Sequence, residues 1–401
     1  MSRSSHAEDE RIRGVKVAMS YARARLWLGI SGVGTIVVVS ACLLFFQVPS
    51  HLLTVGKASF GSDIRLLVGI LFAYAVLSGP FDFFGGYILP TEYGRTAVRF
   101  PVFLRGWLRG VLLHSLILLG IALTLLYAVR TGGFPLFLGA FVCLNLLLLS
   151  LQPLMAILLG GITYKRPTPE QEKQFASLSG GRKRLRMIFA VHTGPYFTGG
   201  IAGLPGRERL IVPAAWIEAL SSAELETVCL RKTGILQSGS RTRGLLLAIG
   251  WNTICFCLAG LLTGDLTSVA GLVTFSLWFT MGSFLGLLIL PVPSQRGVFE
   301  GDTFALQHGA PRMVLENLLR KLDRDQDDEP SRTRSIETCF HPLPSVERRL
   351  AFLDTEGQTQ TGAWHGARMA IYLSWAGGSF LSRAVHCNCG RPDVWVFLPS
   401  D

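Results

Sequence analysis

Eight histidines, eight cysteines and twenty-seven carboxylates are available for chemistry in this 401-residue chain. His386-Cys-Asn-Cys389 places an imidazole and two thiols within four residues, a ligand set that suits a soft metal. A single such set near a chain end reads first as unliganded. Asp323-x-Asp325-x-Asp327 has the carboxylate spacing of a calcium loop. The glycine that loop needs is replaced by Asp328 and its closing Glu by Arg334, so a solvated acidic turn is the better reading. Gly29-Ile-Ser31-Gly32 sets a hydroxyl inside an apolar run, and Leu262-Thr-Gly-Asp265 sets a carboxylate at the end of one. Helix packing through small residues and a turn between helices account for them more simply. Gly200 to Gly206 is glycine-rich but lacks the strand-to-helix context of a phosphate loop, so it reads as a hairpin turn. Asp82 is different: it interrupts an apolar stretch, where an ionisable group marks function or a buried pair unless it lies at an interface.

One ordered series is more informative. Phe197-Thr-Gly-Gly-Ile-Ala-Gly-Leu-Pro-Gly-Arg-Glu-Arg-Leu-Ile-Val-Pro213 precedes Leu220-Ser-Ser-Ala-Glu-Leu-Glu-Thr-Val228. An apolar hairpin follows from Gly244 to Leu290, then Phe299-Glu-Gly-Asp302, then His341-Pro342 with Arg349-Leu350. In content and order, over roughly Ala190 to Leu353, this resembles the HtpX and CAAX-prenyl-protease family of membrane zinc metallopeptidases. The resemblance implies a zincin-like domain in which the helix opened by Leu-Ser-x-x-Glu-Leu carries HExxH. A later Glu-x-x-x-Asp helix would supply the third ligand.

The site departs from the family pattern. Aligned on Glu224-Leu225 and Gly234, the first ligand position holds Arg231, the general-base position Lys232 and the second ligand position Ile235. Aligned on Asp302, the third ligand position holds Val298. No histidine in the chain is followed directly by Glu. Zinc of this type needs two imidazoles at i and i+4 plus a carboxylate, with an open position for the water whose proton a Glu removes. A guanidinium offers no lone pair and isoleucine has no donor atom. Asp302 retains a position that orients a ligand, and here it is expected to pair with Arg231 or Lys232. Substitute ligands would have to come from His192, Glu300, Asp302, His308 or His341. Glu300 lies two residues from the expected position, on another helical face. His308 and His341 read first as structural or surface residues, although His341 matches a family position.

These groups must be positioned by elements that the composition restricts. The chain is 49% apolar, only 16% charged, and has a mean hydropathy of +0.41. A soluble domain carries about 25% charged residues. Uncharged runs lie at Leu26–Gly56, Leu66–Phe81, Gly110–Val129, Thr131–Tyr164, Gly244–Gly264 and Leu266–Gln295. Six candidate spans result, near or above the roughly 20 residues a crossing helix needs. The second is the weakest, because Gly79-Pro80 and Asp82 interrupt it. Trp27, Trp107 and Trp251 sit near span ends, as interfacial aromatics do. Basic and non-basic connections alternate: the N-terminus, the Arg95–Arg109 loop and the Lys165–Arg243 segment are basic, whereas the turns at Arg130 and Asp265 are not. The positive-inside rule then puts both termini and the long central segment in the cytoplasm, and the expected location is the cell inner membrane. The net charge of +11 is explained by this rule and by anionic headgroups. Nucleic-acid binding is not expected, since no basic face carries interleaved aromatics. No signal peptide is evident, and the cysteines, split between spans and cytoplasmic parts, do not form a disulfide framework.

The expected architecture is a polytopic α-helical membrane protein of about six spans with a cytoplasmic α+β zincin-like domain. Its parts are a cytoplasmic N-terminus (1–25), a four-span region (26–164), the first part of the peptidase-like domain (165–243), a two-span hairpin (244–295), the second part of that domain (296–360) and a C-terminal tail (361–401). Met187–Val191 and Arg209–Val212 read as strands, Ser221-x-x-Glu224 as a capping box, and Val298–His308, Arg312–Leu322 and Ser345–Leu353 as helices. A basic run spans Arg182–Arg186, and the uncharged Met369–Ser382 is too short to cross, so it is interfacial or packs on the bundle. Three functions are compatible. The first is a catalytically inactive relative of the HtpX-type peptidases that binds membrane proteins or peptides, with no cofactor. The second is an active zinc peptidase with replaced ligands. The third is a transporter-like or lipid-handling bundle, to which Asp82 would point.

Overall fold

The computed structural model describes residues 19–53, 59–95, 98–171, 186–194, 196–326, 329, 331–355 and 360–399. The basic N-terminal residues through Lys16, the basic run from Arg182 to Arg184 and the acidic pair Asp327-Asp328 lie outside them. Among the described residues five helices are long and apolar enough to cross a bilayer, and the protein is a polytopic helical membrane protein. They are α1 (Tyr21–Phe45), α2 (Phe60–Phe83, prolonged by a π-turn at Phe84–Ile88 and a last turn to Glu92), α3 (Phe100–Gly160), α5 (Ser240–Thr263) and α6 (Val269–Ile289). Large apolar side chains such as Phe45, Phe72, Leu116 and Leu261 point outward, as lipid-facing side chains do.

Helix α3 has 61 residues, a length of about 90 Å if straight. It is not straight. Gly132 and Gly133 leave helical geometry, with Gly133 at φ +61°, ψ −157°, which only glycine adopts without strain. Arg109 then donates from Nη2 to the carbonyl of Leu159 at 3.3 Å, so the two arms fold back on each other. Each arm exceeds the length of one crossing. Beside the reversal, Arg130 bonds Asp63 Oδ2 at 2.6 Å and the carbonyl of Thr267 at 2.7 Å. The non-basic connections thus gather at one end of the bundle.

The part outside the candidate spans is built on a four-stranded sheet of order β1-β2-β4-β3, from Thr163–Lys165, Arg186–Val191, Gly200–Ala202 and Arg209–Pro213 in chain order. β2 and β4 are parallel, with Phe189 opposite Val212, and both flanking pairs are antiparallel. One apolar face of the sheet (Phe189, Leu210, Val212) shares a buried cluster with Leu225, Val228 and Leu236 of α4 (Ser222–Gln237). Both halves of the capping box close at the start of α4: Glu224 N donates to Ser221 Oγ, and Ser221 N donates to Glu224 Oε2 at 2.7 Å. After α6 come α7 (Pro291–Gln307), α8 (Arg312–Asp325), α9 (Arg334–Phe340), α10 (Val346–Leu353) and α11 (Gly366–Leu373).

The segment after Gly362 runs through the interior. Met369–Ser382, read from sequence as interfacial or bundle-packing, takes the second course, with Tyr372, Trp375 and Leu381 fully buried. Only its first turns are helical, so its backbone needs partners from elsewhere. The spans supply them. Asn252 Nδ2 donates to Ala370 O (2.9 Å), Thr280 Oγ1 accepts from Phe380 N (3.1 Å), and Gln152 Nε2 donates to Val396 O (3.2 Å). Asp82 accepts from Gly390 N at 2.9 Å and from Trp107 Nε1 at 3.1 Å, and lies 3.8 Å from Arg383 Nη1. Asp82 and Arg383 are each about 1% exposed, so the oddity in the second span is one half of a buried ion pair rather than an interfacial residue.

Candidate functional site

Helices α4 and α7 cross where each carries a glycine. A Cβ at Gly301 would stand 3.0 Å from Ile235 Cγ1, and one at Gly234 would collide with the Phe304 ring. This close crossing brings the aligned positions together. Ile235 and Val298 belong to one buried cluster, 1% and 2% exposed, and fill it with hydrocarbon. One turn before Ile235, Arg231 donates from Nε to Asp302 Oδ1 at 2.7 Å. Asp302 is fully buried and also accepts from Arg349 of α10, Nε to Oδ2 and Nη2 to Oδ1, both at 2.8 Å. One carboxylate is thus held between two guanidiniums. Lys232 is 2% exposed, and its ammonium sits 4.8 Å from the centre of the Trp364 ring. Trp364 N in turn donates to Ser240 Oγ at 3.2 Å, so the start of the C-terminal segment lies against this centre.

The other candidate ligands are placed elsewhere or engaged. Glu300 is gripped by Arg243 through both oxygens, at 2.8 and 2.9 Å, and accepts from Gly362 N at 3.1 Å. His308 is exposed at the end of α7, its Nδ1 2.9 Å from Phe304 O, its ring stacked on Phe304. His192 lies across the sheet edge, 3.4 Å from Thr163 Oγ1. His341 is buried with its ring centre 5.0 Å from that of His386. Burial, reinforced by the nearby cations Arg332 and Arg368, pushes its imidazole well below the ordinary histidine range, toward the neutral form. Cys229, on α4, has its thiol pushed up to about 12 by burial, so it is not a nucleophile at neutral pH. Among the described residues no group of three or more His, Cys, Asp or Glu side chains could hold a metal ion, His386-Cys-Asn-Cys389 included.

The groups around the crossing do not fit zinc. A metal there would face two fixed cations and an isoleucine and a valine where donor atoms are needed. Asp302 is already saturated by guanidinium donors. What the arrangement does is lock α4, α7 and α10 together. Two of its members, Arg349 and Trp364, were not singled out by sequence as parts of the centre. Arg349 stood in the His-Pro-to-Arg-Leu series, which was the available signal; Trp364 carried none.

No family model matches the chain, and no curated protein matches it by sequence. Among solved structures it is similar to the crystal structure of S. mikatae Ste24p, at 15% identity and a TM-score of 0.67. The likeness covers 83% of this chain and 87% of that one, and it establishes a shared fold.

Proposed function

We propose that this chain is a non-catalytic membrane relative of the zinc metallopeptidases that binds membrane proteins or peptides as a regulator or scaffold. The Ste24p-like fold supports the kinship, and the resemblance of the ordered series to the HtpX and CAAX-prenyl-protease family supports the placing of the site at Arg231, Lys232, Ile235 and Val298. The observation that carries the loss of activity is the Arg231–Asp302–Arg349 triad, which puts a closed ion network where a water-activating metal centre would have to be open. The charge pattern of the connections favours a cytoplasmic soluble domain and termini.

The reading with replaced ligands finds less support, since Glu300, Asp302 and His308 each already have another partner. The test uses the purified full chain in detergent and in lipid vesicles, with an unfolded membrane protein and a prenylated peptide as probes. Neither is expected to be cleaved, and both at most to be bound. Cleavage that an added zinc chelator abolishes would overturn the reading.

A further inference from the structure

Away from the α4–α7 crossing, a cavity of about 420 Å³ opens where the ends of α2 and α3 meet the soluble sheet and the C-terminal segment. That volume is within the range of ligand-binding sites. Four arginines line it, Arg95, Arg109, Arg324 and Arg391, against two carboxylates, Asp325 and Asp393. Even with each carboxylate paired to one guanidinium, two positive charges are left over. Several of these groups are fixed by neutral contacts. Arg109 is tied to the Leu159 carbonyl, and Arg391 donates to Tyr21 Oη at 2.8 Å while its guanidinium lies 3.7 Å from the centre of the Tyr196 ring. Asp393 accepts from Tyr196 Oη at 3.2 Å, so that carboxylate already has a donor.

The cavity also has an apolar side. Val98 and Val102 form part of its wall and are about half exposed; further along the outward face of α3, past the exposed Arg105, stand Leu108, Leu112 and Leu116, all exposed. Trp107 stands at the same level, where interfacial aromatics anchor a bundle. A cationic recess that opens onto an exposed hydrocarbon track has the chemistry of an amphiphile with an anionic head.

We propose that this cavity is a binding site for an anionic phospholipid, its phosphate held among Arg95, Arg109, Arg324 and Arg391 and an acyl chain lying along Val102, Leu108 and Leu112. Guanidiniums pair with phosphate oxygens in bidentate fashion, and basic recesses between helices at a membrane surface hold anionic head groups. The site is independent of the α4–α7 centre and stands whether or not that centre is catalytic.

The experiment is native mass spectrometry of the full chain released from nanodiscs of phosphatidylcholine containing a minor share of phosphatidylglycerol. One retained phosphatidylglycerol per chain is expected, in preference to phosphatidylcholine. The double variant Arg95→Gln, Arg324→Gln is expected to lose that adduct by about tenfold or more. The control Arg99→Gln, Arg166→Gln removes two exposed charges that do not line the cavity, and it should retain the adduct. Equal loss in both variants would overturn the proposal, because the attraction would then be that of the whole basic surface. Absence of any preference for phosphatidylglycerol would overturn it as well. Displacement of the lipid by millimolar inorganic phosphate alone would assign the recess to a free anion and overturn the lipid assignment. Unchanged thermal unfolding of both variants shows that each is folded, and Arg324→Gln alone supplies a milder variant if the double one is not.

Discussion

Replacing Asp302 by Asn keeps the shape of the side chain and removes the single negative charge between Arg231 and Arg349. The side chains of all three residues are at most 5% exposed, and the three charge-assisted bonds measure 2.7, 2.8 and 2.8 Å. At an effective dielectric of about 20, each pair is worth roughly 4 kcal/mol of attraction at 4 Å separation, set against the desolvation of three ions. Taking away the shared partner leaves two guanidiniums buried without a counter-charge, and removal of one member of a buried ion pair costs about 3–5 kcal/mol. Asp302→Asn is therefore expected to lower Tm in detergent by roughly 6 °C or more. Glu300→Gln breaks a bidentate pair whose members are 37% and 18% exposed, so its expected cost is smaller, about 1 kcal/mol. The triple change Arg231→Met, Asp302→Leu, Arg349→Met removes the ions together and should recover most of the loss. The measurement is thermal unfolding of the full chain in one detergent, followed by intrinsic tryptophan fluorescence. If Asp302→Asn unfolds within about a degree of the wild type, or no earlier than Glu300→Gln, the triad does not hold these helices together and the reasoning is refuted.

Three further outcomes are expected. Asp82→Ala removes the acceptor of Gly390 N and the counter-charge of Arg383, so the end of the C-terminal segment should loosen; in a chain whose other cysteines are changed to serine, Cys389, now 1% exposed, should react with a membrane-permeant maleimide at least about tenfold faster. Gly297→Ala puts a methyl group into the backbone of Trp364 and should destabilise the chain by about 1–3 kcal/mol, whereas Gly250→Ala, with open space around it, should be neutral or slightly stabilising in the same thermal assay. Because burial holds His341 below its unfolded value, its contribution is fully present above about pH 6.5 and is lost as pH falls, by up to about 1.4 kcal/mol per unit until the folded group also protonates; a stability–pH profile that is just as steep with His341→Gln would remove His341 as the cause.

Local signals were legible where chemistry and neighbour lie close in sequence. The capping box at Ser221 and Glu224, strands β2 and β4 before it, and the turn between the arms of α3 all follow from residues within a few positions of each other, whereas the short β1 and β3 fell inside stretches read as a span and a hairpin turn. Asp302 was legible because an aligned pattern assigned it a position, and a carboxylate facing two cationic positions has few other ways to be buried. The C-terminal segment was not. Fourteen uncharged residues are too short to cross and carry no period that tells interior from interface. Its backbone partners, Gln152, Asn252 and Thr280, lie on spans 100 or more residues earlier, as single polar residues in apolar helices. The same distance hid Arg383 from Asp82. Nor does sequence reveal the arginine-lined cavity, since its four cations come from separate elements that the fold brings together.

The central claim is that the residues at the α4–α7 crossing do not form a metal centre. Elemental analysis of the purified full chain tests it most directly, after incubation with equimolar zinc and passage through a desalting column. The account predicts far less than one zinc per chain, with no difference between the wild type and Arg231→Met. Close to one zinc per chain, lost on substitution of Asp302 or His341, would contradict it.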